Sequence, residues 1–245
     1  MDVQGATSLT LIDTGIGEIF INERGASTID SVDIQVGADG FDAIEVGYVG
    51  SDSLVIGTDH LLDNIDHGSN GRSFTYTAVS GNINVGSIDN DARDVVLVAR
   101  DGSILDFTND AGVDIQTDGN LTLQSTGSIG ATGAEIETRI GSLAAETTTS
   151  GGIFLNETDG LQIDGGTLGF TGLTTAGDGD IEISLGSGTL QIDEAVTAGA
   201  GNVTFAADSI DVNVSFQAGT ELLDGGSSVD IAAGQQITST GASPS

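Results

Sequence analysis

The side chains best equipped for chemistry in this chain are carboxylates. Asp91, Arg93, Asp94, Arg100, Asp101 and Asp106 fall in one short stretch and combine acid, base and guanidinium. Paired carboxylates supply acid–base catalysis on a glycoside, and an Arg beside them suits an acidic polysaccharide. However, the chain has no Trp, two Tyr and no Lys, a poor inventory for a sugar cleft. Outward-facing turn charges are the plainer reading. Asp59, His60, Asp63, Asp66 and His67 contain both histidines of the chain. Imidazole with carboxylates can ligate a metal or move a proton. In so acidic a chain, Asp beside His also arises from composition, as a solvated loop.

Two further patterns carry weaker chemistry. Asp89 to Asp94 (DNDARD) spaces carboxylates and an amide as a hard cation such as calcium prefers. The tandem GGxGxDxUx repeats of calcium-binding β-rolls are absent, so a β-turn with solvated Asp is preferred. Asn120, Asn156, Asn202 and Asn213 each open an Asn-x-Ser/Thr sequon. Asn, Ser and Thr are also ordinary turn residues. No residue is therefore assigned as catalytic, cofactor-binding or metal-binding. No cofactor is expected, with calcium kept open, and the chain is expected not to be an enzyme.

Composition narrows the partners. The 245 residues include 37 Asp and Glu against five Arg, a formal net charge of −32. Phosphate backbones and anionic membranes need clustered cations, so nucleic acid is excluded as a partner. No run of eighteen apolar residues suggests a transmembrane helix, and membrane insertion is not expected. With no Cys there are no disulfides and no thiol chemistry. No signal peptide is visible, so the chain reads as cytosolic or as an internal piece of something larger.

The elements that must carry these side chains are short strands. From Gly179 to Phe216, bursts of alternating apolar and polar residues end in Gly, Ala, Asp or Ser. Ile181 and Val203 are 22 residues apart, as are Ile183 and Phe205; Leu190 and Ile210, and Ile192 and Val212, are 20 apart. A period near twenty built from strand-sized pieces marks a solenoid. The rest of the chain repeats this unit less regularly. Helical signals are nearly absent; only Ala131 to Ala145 has the Ala and Glu content of a helical turn, weakened by Gly133 and Gly141. The predicted fold is all-β, a parallel β-helix of roughly 20–25 residues per coil. About ten to eleven coils are expected over residues 1–240, with an irregular insert near 58–72 and a flexible tail at 241–245. Ile181 should stack on Val203, Ile183 on Phe205 and Ile192 on Val212. Carboxylates at equivalent positions of successive coils would stand ~4.8 Å apart, a spacing that calls for salt or a bridging cation.

Residues 119–163 and 179–210 resemble the stalk repeats of filamentous-haemagglutinin-like bacterial exoproteins, in phrases such as GSLAAETTTSGGIFLNETDGLQI and AVTAGAGNVT. The likeness is good over residues 81–238 and weak before them. It implies a right-handed parallel β-helix, export to the cell surface, and a place in the shaft of an adhesin or fibre. The Asn-Pro-Asn motifs of that family's secretion domain have no match, since the one Pro is Pro244. This fits an internal fragment. The expected role is structural: a rigid spacer or self-stacking unit. Its partners would be flanking repeats of a larger chain, other copies stacked end to end, or a ligand on a host or neighbouring cell. A carbohydrate-active β-helix enzyme and a calcium-dependent adhesion module are the alternatives.

Overall fold

The computed structural model describes residues 73–78, 81–90 and 93–239, with side chains for 74–78, 81–90, 93–216 and 218–237. It also describes strand segments at 2–4, 8–13, 19–24, 31–36, 43–48, 60–62 and 65–66. All regular elements among the described residues are β-strands, and every strand-to-strand ladder is parallel. Parallel pairing of such short strands requires the chain to travel round a coil before it meets itself again. The backbone hydrogen bonds record this directly. Along one side, the N–H of Ile83 donates to the carbonyl of Ser103, Ile104 to Ser128, Ile129 to Gly152, Ile153 to Asp180 and Ile181 to Asn202, all at 2.8–2.9 Å.

The alternating pattern of each burst points every second side chain inward, and stacking turns those side chains into columns. One column runs Phe74, Val95, Leu121, Leu143, Ile163, Ile192, Val212 and Ile231. A second runs Tyr76, Leu97, Leu123, Ala145, Leu173 and Val196. A third runs Ile83, Ile104, Ile129, Ile153, Ile181 and Val203. Apart from Ile231, these residues are buried and belong to one continuous core. The three expected stacks, Ile181 on Val203, Ile183 on Phe205 and Ile192 on Val212, are all present as direct partners.

The number of turns differs from the expectation. Phe74 to Ile231 makes seven turns, about 34 Å of rod at ~4.8 Å per turn, where ten to eleven were expected over the longer span 1–240. Insertions lengthen individual turns: Ile163 and its partner Ile192 are 29 residues apart. Toward the N terminus, Ile19 pairs with Ile44 and Ile44 with Phe74 in the same parallel sense. Within residues 58–72, the described segments His60–Leu62 and Ile65–Asp66 pair in parallel with Ile83–Val85 and Ile88–Asp89.

One local reading is corrected. Ala131 to Ala145 is not helical. A tight turn, with Ala131 and Ala134 bonded to each other at 2.9 Å, leads into the strand Ile136–Thr147. Ile136, Thr138 and Ile140 alternate inward, and pairing with Ile115–Ser125 overrides the Ala and Glu content. Outward positions are also not uniformly polar. Val95–Ala99 is buried on both faces. A loop after Ile163 folds back over the outside of the coil: the N–H of Thr167 donates to Thr122 Oγ1, 45 residues away, at 3.1 Å. Gly166 lies against Ala144 and Thr122, where an added Cβ would stand 2.8 Å from Ala144 Cβ.

Candidate functional site

The ladder register brings three carboxylates together. Ile115 pairs with Thr138, so the preceding residues, Asp114 and Glu137, lie side by side on successive turns. Two backbone bonds fix Asp114: its N–H donates to the Glu137 carbonyl at 2.9 Å, and its carbonyl accepts from Ile88 at 2.7 Å. Asp106 ends the strand Ile104–Asp106, in register with Val85 of the turn before. It therefore stands where the preceding turn places an inward Val. Each of the three residues offers an oxygen, and these oxygens lie within 4.8 Å of one another.

The surroundings of the trio are dry on one side. Asp114 is 2% exposed, while Asp106 and Glu137 are half-buried. Asp114 Oδ2 accepts from the Glu137 N–H at 3.0 Å. Asp106 Oδ1 accepts from the N–H of Thr108 at 2.8 Å. Asp106 Oδ2 and Glu137 Oε2 are shut off from solvent and accept no hydrogen bond. Burial pushes the Asp114 carboxyl from its ordinary 3.8 up to about 8; the Glu137 N–H opposes this, and the charges of Asp106 and Glu137 add to it. Burial also raises Glu137, against hydrogen bonds from Asp114 and Asn156. The arrangement can hold a proton between two carboxylates, or a cation among three. The trio has no imidazole or thiol, so its donors suit a hard, oxygen-seeking ion.

A fourth buried carboxylate behaves differently. Glu157 is 2% exposed and occupies the ladder position between Thr138 and Leu185. Its oxygens accept from Thr138 Oγ1 at 2.7 Å and from the N–H groups of Thr158 at 2.9 Å, Ile140 at 3.2 Å and Asp159 at 3.3 Å. Burial raises its pKa, and these bonds hold the shift down. It is a satisfied structural group.

The residues singled out in the sequence fall elsewhere. Arg93, Arg100 and Asp101 are exposed, and Asp94 Oδ1 accepts from the N–H of Asn120 at 3.0 Å, which ties one turn to the next. Of that group only Asp106 joins the trio. The ion pair that forms among the described residues is Arg139 with Asp159 at 3.6 Å, on the surface. Asp59, Asp63, His67 and Asp91 lie outside the described residues, and the side chains of His60 and Asp66 are likewise outside them. The sequon asparagines are rungs between turns. Asn120 accepts from Ser142, Asn156 from Ser184 and Asn202 from Thr220, while Asn213 Nδ2 donates to Asp193 Oδ1 at 2.7 Å.

A second feature lies at the C-terminal end of the described stack. The strand Glu221–Ile231 pairs with Val203–Val212 on one side and with no strand on the other among the described residues. Leu222, Val229 and Ile231 are 60%, 39% and 48% exposed, although Ile231 continues a column that is buried through every earlier turn. Val229 and Ile231 continue the inward positions of Ile210 and Val212, whereas Leu222 is the partner of the outward Thr204; the stack thus ends, among the described residues, in partly bare core and an open strand edge. Reading the sequence did not locate Asp114 and Glu137. The one signal for the trio was the expectation of stacked carboxylates; which ones stack depends on the lengths of the loops at 107–113 and 130–135. Set beside protein-family models, characterised proteins and solved structures, the chain matches none.

Proposed function

We propose that this chain is a structural, non-enzymatic segment of a secreted or surface-anchored bacterial adhesin or extracellular fibre. It serves as a rigid spacer or a self-stacking unit. The reading rests on one observation above the others: the final described turn presents an open strand edge of eleven residues beside the exposed Leu222, Val229 and Ile231. Such an edge templates the addition of another strand, and a bare core column favours another coil of the same kind. Flanking repeats of a larger chain or another copy would cover both. The acidic surface keeps parallel rods apart laterally, which directs association to the ends. The stalk-repeat resemblance supplies the cell-surface setting.

Electron microscopy of the purified chain over a range of concentrations tests the reading. Thin, unbranched rods or filaments that lengthen with concentration are expected, with Ile231→Asp shortening them to single units. Compact, non-extended particles would overturn the proposal. So would turnover of acidic polysaccharides that Asp94→Ala abolishes.

A further inference from the structure

We infer that the hairpin loop at residues 164–172 is a guard that keeps two copies of this rod from pairing side by side. The loop is an insertion outside the coil. Ile163 and Leu173 are separated by the whole of it, whereas their partners one turn later, Ile192 and Val196, are joined by Asp193, Glu194 and Ala195 alone. The ladders on either side keep their partners across the insertion. The loop closes on itself: the N–H of Gly166 donates to the Phe170 carbonyl at 3.1 Å, and that of Gly172 to the Asp164 carbonyl at 3.0 Å.

The strip beneath the loop gives it a purpose. Thr75, Val96, Thr122 and Ala144 are outward partners on four successive strands, and Thr77, Val98 and Gln124 form the row beside them. None of the seven carries a charge. Another outward row, Gln162, Gln191, Asp211 and Asp230, ends in two acids. In a chain of net charge −32, an uncharged strip is a gap in the repulsion that holds rods apart. Two such strips from two copies would meet without bringing acids together, and a two-fold axis presents the same strip from both. Uncovered Val and Ala on a sheet face favour that contact.

The loop already occupies the strip. Alternation turns these side chains outward, yet Thr122, Ala144, Val96 and Val98 are only 0%, 1%, 4% and 7% exposed. The Thr167 N–H donates to Thr122 Oγ1 at 3.1 Å. Gly166 sits so close that an added Cβ would stand 2.8 Å from Ala144 Cβ. Leu168 lines the same groove as Thr75, Thr77, Val98 and Gln124. The inference rests on the stacked coil and not on the adhesin reading.

The test replaces residues 164–172 by Asp-Glu-Ala, the join used one turn later. That join is compatible with the ladder, because Ala195 gives Leu173 the carbonyl that Gly172 gives Ala145. Parent and replaced chains both carry Ile231→Asp, which blocks the exposed column end, so side-by-side pairing is read apart from end stacking. Sedimentation velocity is run over a range of concentrations in about 0.15 M salt, with far-UV circular dichroism confirming the fold. The replaced chain should self-associate at least about tenfold more tightly than its parent and bind several-fold more Nile red. Adding Val98→Glu to the replaced chain should return it to the parent's behaviour. Gly166→Leu keeps the full chain and wedges the loop off Ala144, so it should raise dye binding in the same direction; it carries the test if the replaced chain does not fold. A folded replaced chain that sediments as its parent does, association that persists with Val98→Glu, or Gly166→Leu with unchanged dye binding would each overturn the assignment.

Discussion

Truncating Ile183 to Ala should destabilise the rod far more than changing its neighbour Glu182. Ile183 is fully buried between Leu155 of the turn before and Phe205 of the turn after, in direct register with both. The change removes three carbon groups, at about 0.8 kcal/mol each, or about 2.4 kcal/mol of transfer free energy. The backbone ladders hold Leu155 and Phe205 at their fixed separation, so the space cannot close. A residual cavity on the order of 60 Å³, at about 24 cal/mol per Å³, adds about 1.5 kcal/mol. The expected loss is therefore about 4 kcal/mol. Glu182 points outward on the same strand, and Glu182→Ala should stay within about 0.5 kcal/mol. Urea denaturation followed by far-UV circular dichroism reads both. A loss below about 1 kcal/mol at Ile183, or equal losses at both positions, would refute the inward assignment of this column.

Other perturbations probe the corners, the buried acids and the surface. Gly172 has φ +70°, and an added Cβ would stand 2.0 Å from the Ala195 carbonyl oxygen, whereas Gly169, at φ +87°, faces open space. Gly172→Ala should therefore cost several-fold more than Gly169→Ala, whose cost is the left-handed conformation alone, about 1–2 kcal/mol; equal urea midpoints would contradict this. Without added cations, the stabilising contribution of Asp114 is fully present below its ordinary 3.8. It is lost as pH rises toward about 8, because the folded state holds the proton more tightly. Glu157 acts in the same direction. Stability should thus fall between about pH 4 and pH 8, and Asp114→Asn should flatten the fall relative to wild type; an unchanged slope would contradict the burial argument. Arg139→Ala removes a surface ion pair and should change stability by less than about 1 kcal/mol in the same urea assay.

The fold was largely legible in the sequence, and the site was not. Alternation alone shows that Ile181, Ile183, Leu190 and Ile192 face inward, and the near-constant spacing to Val203, Phe205, Ile210 and Val212 identifies their partners. Those pairs lie on segments that keep their register, with a shift of only two residues between Ser184 and Thr189 relative to Ala206 and Ser209. Elsewhere loops intervene. Ile163 reaches Ile192 only after the loop that folds onto Thr122, so the period that worked near the C terminus fails there. Val96 and Val98 are buried although alternation would have turned them to water, and that same loop lies on Thr122, the ladder partner of Val96. Asp114 and Glu137 look like ordinary turn acids, because their proximity is set by register across a turn and not by spacing along the chain. Of the group read around Arg93 and Arg100, Arg93, Arg100 and Asp101 are exposed, as outward turn charges are, and Asp106 joins the trio.

The central claim is that residues about twenty positions apart lie directly on top of one another. The chain has no Cys, so an introduced pair has no background. Glu182 and Thr204 are outward partners on adjacent parallel strands, ~4.8 Å apart between Cα atoms, within the 4.4–6.8 Å that a disulfide spans. Asp211 belongs to a different strand segment, where it pairs with Gln191. Glu182→Cys with Thr204→Cys should form an intrachain disulfide under mild oxidation of the folded protein, and Glu182→Cys with Asp211→Cys should not. No crosslink in the first pair, or equal crosslinking in both, would contradict the stacked solenoid and everything inferred from it.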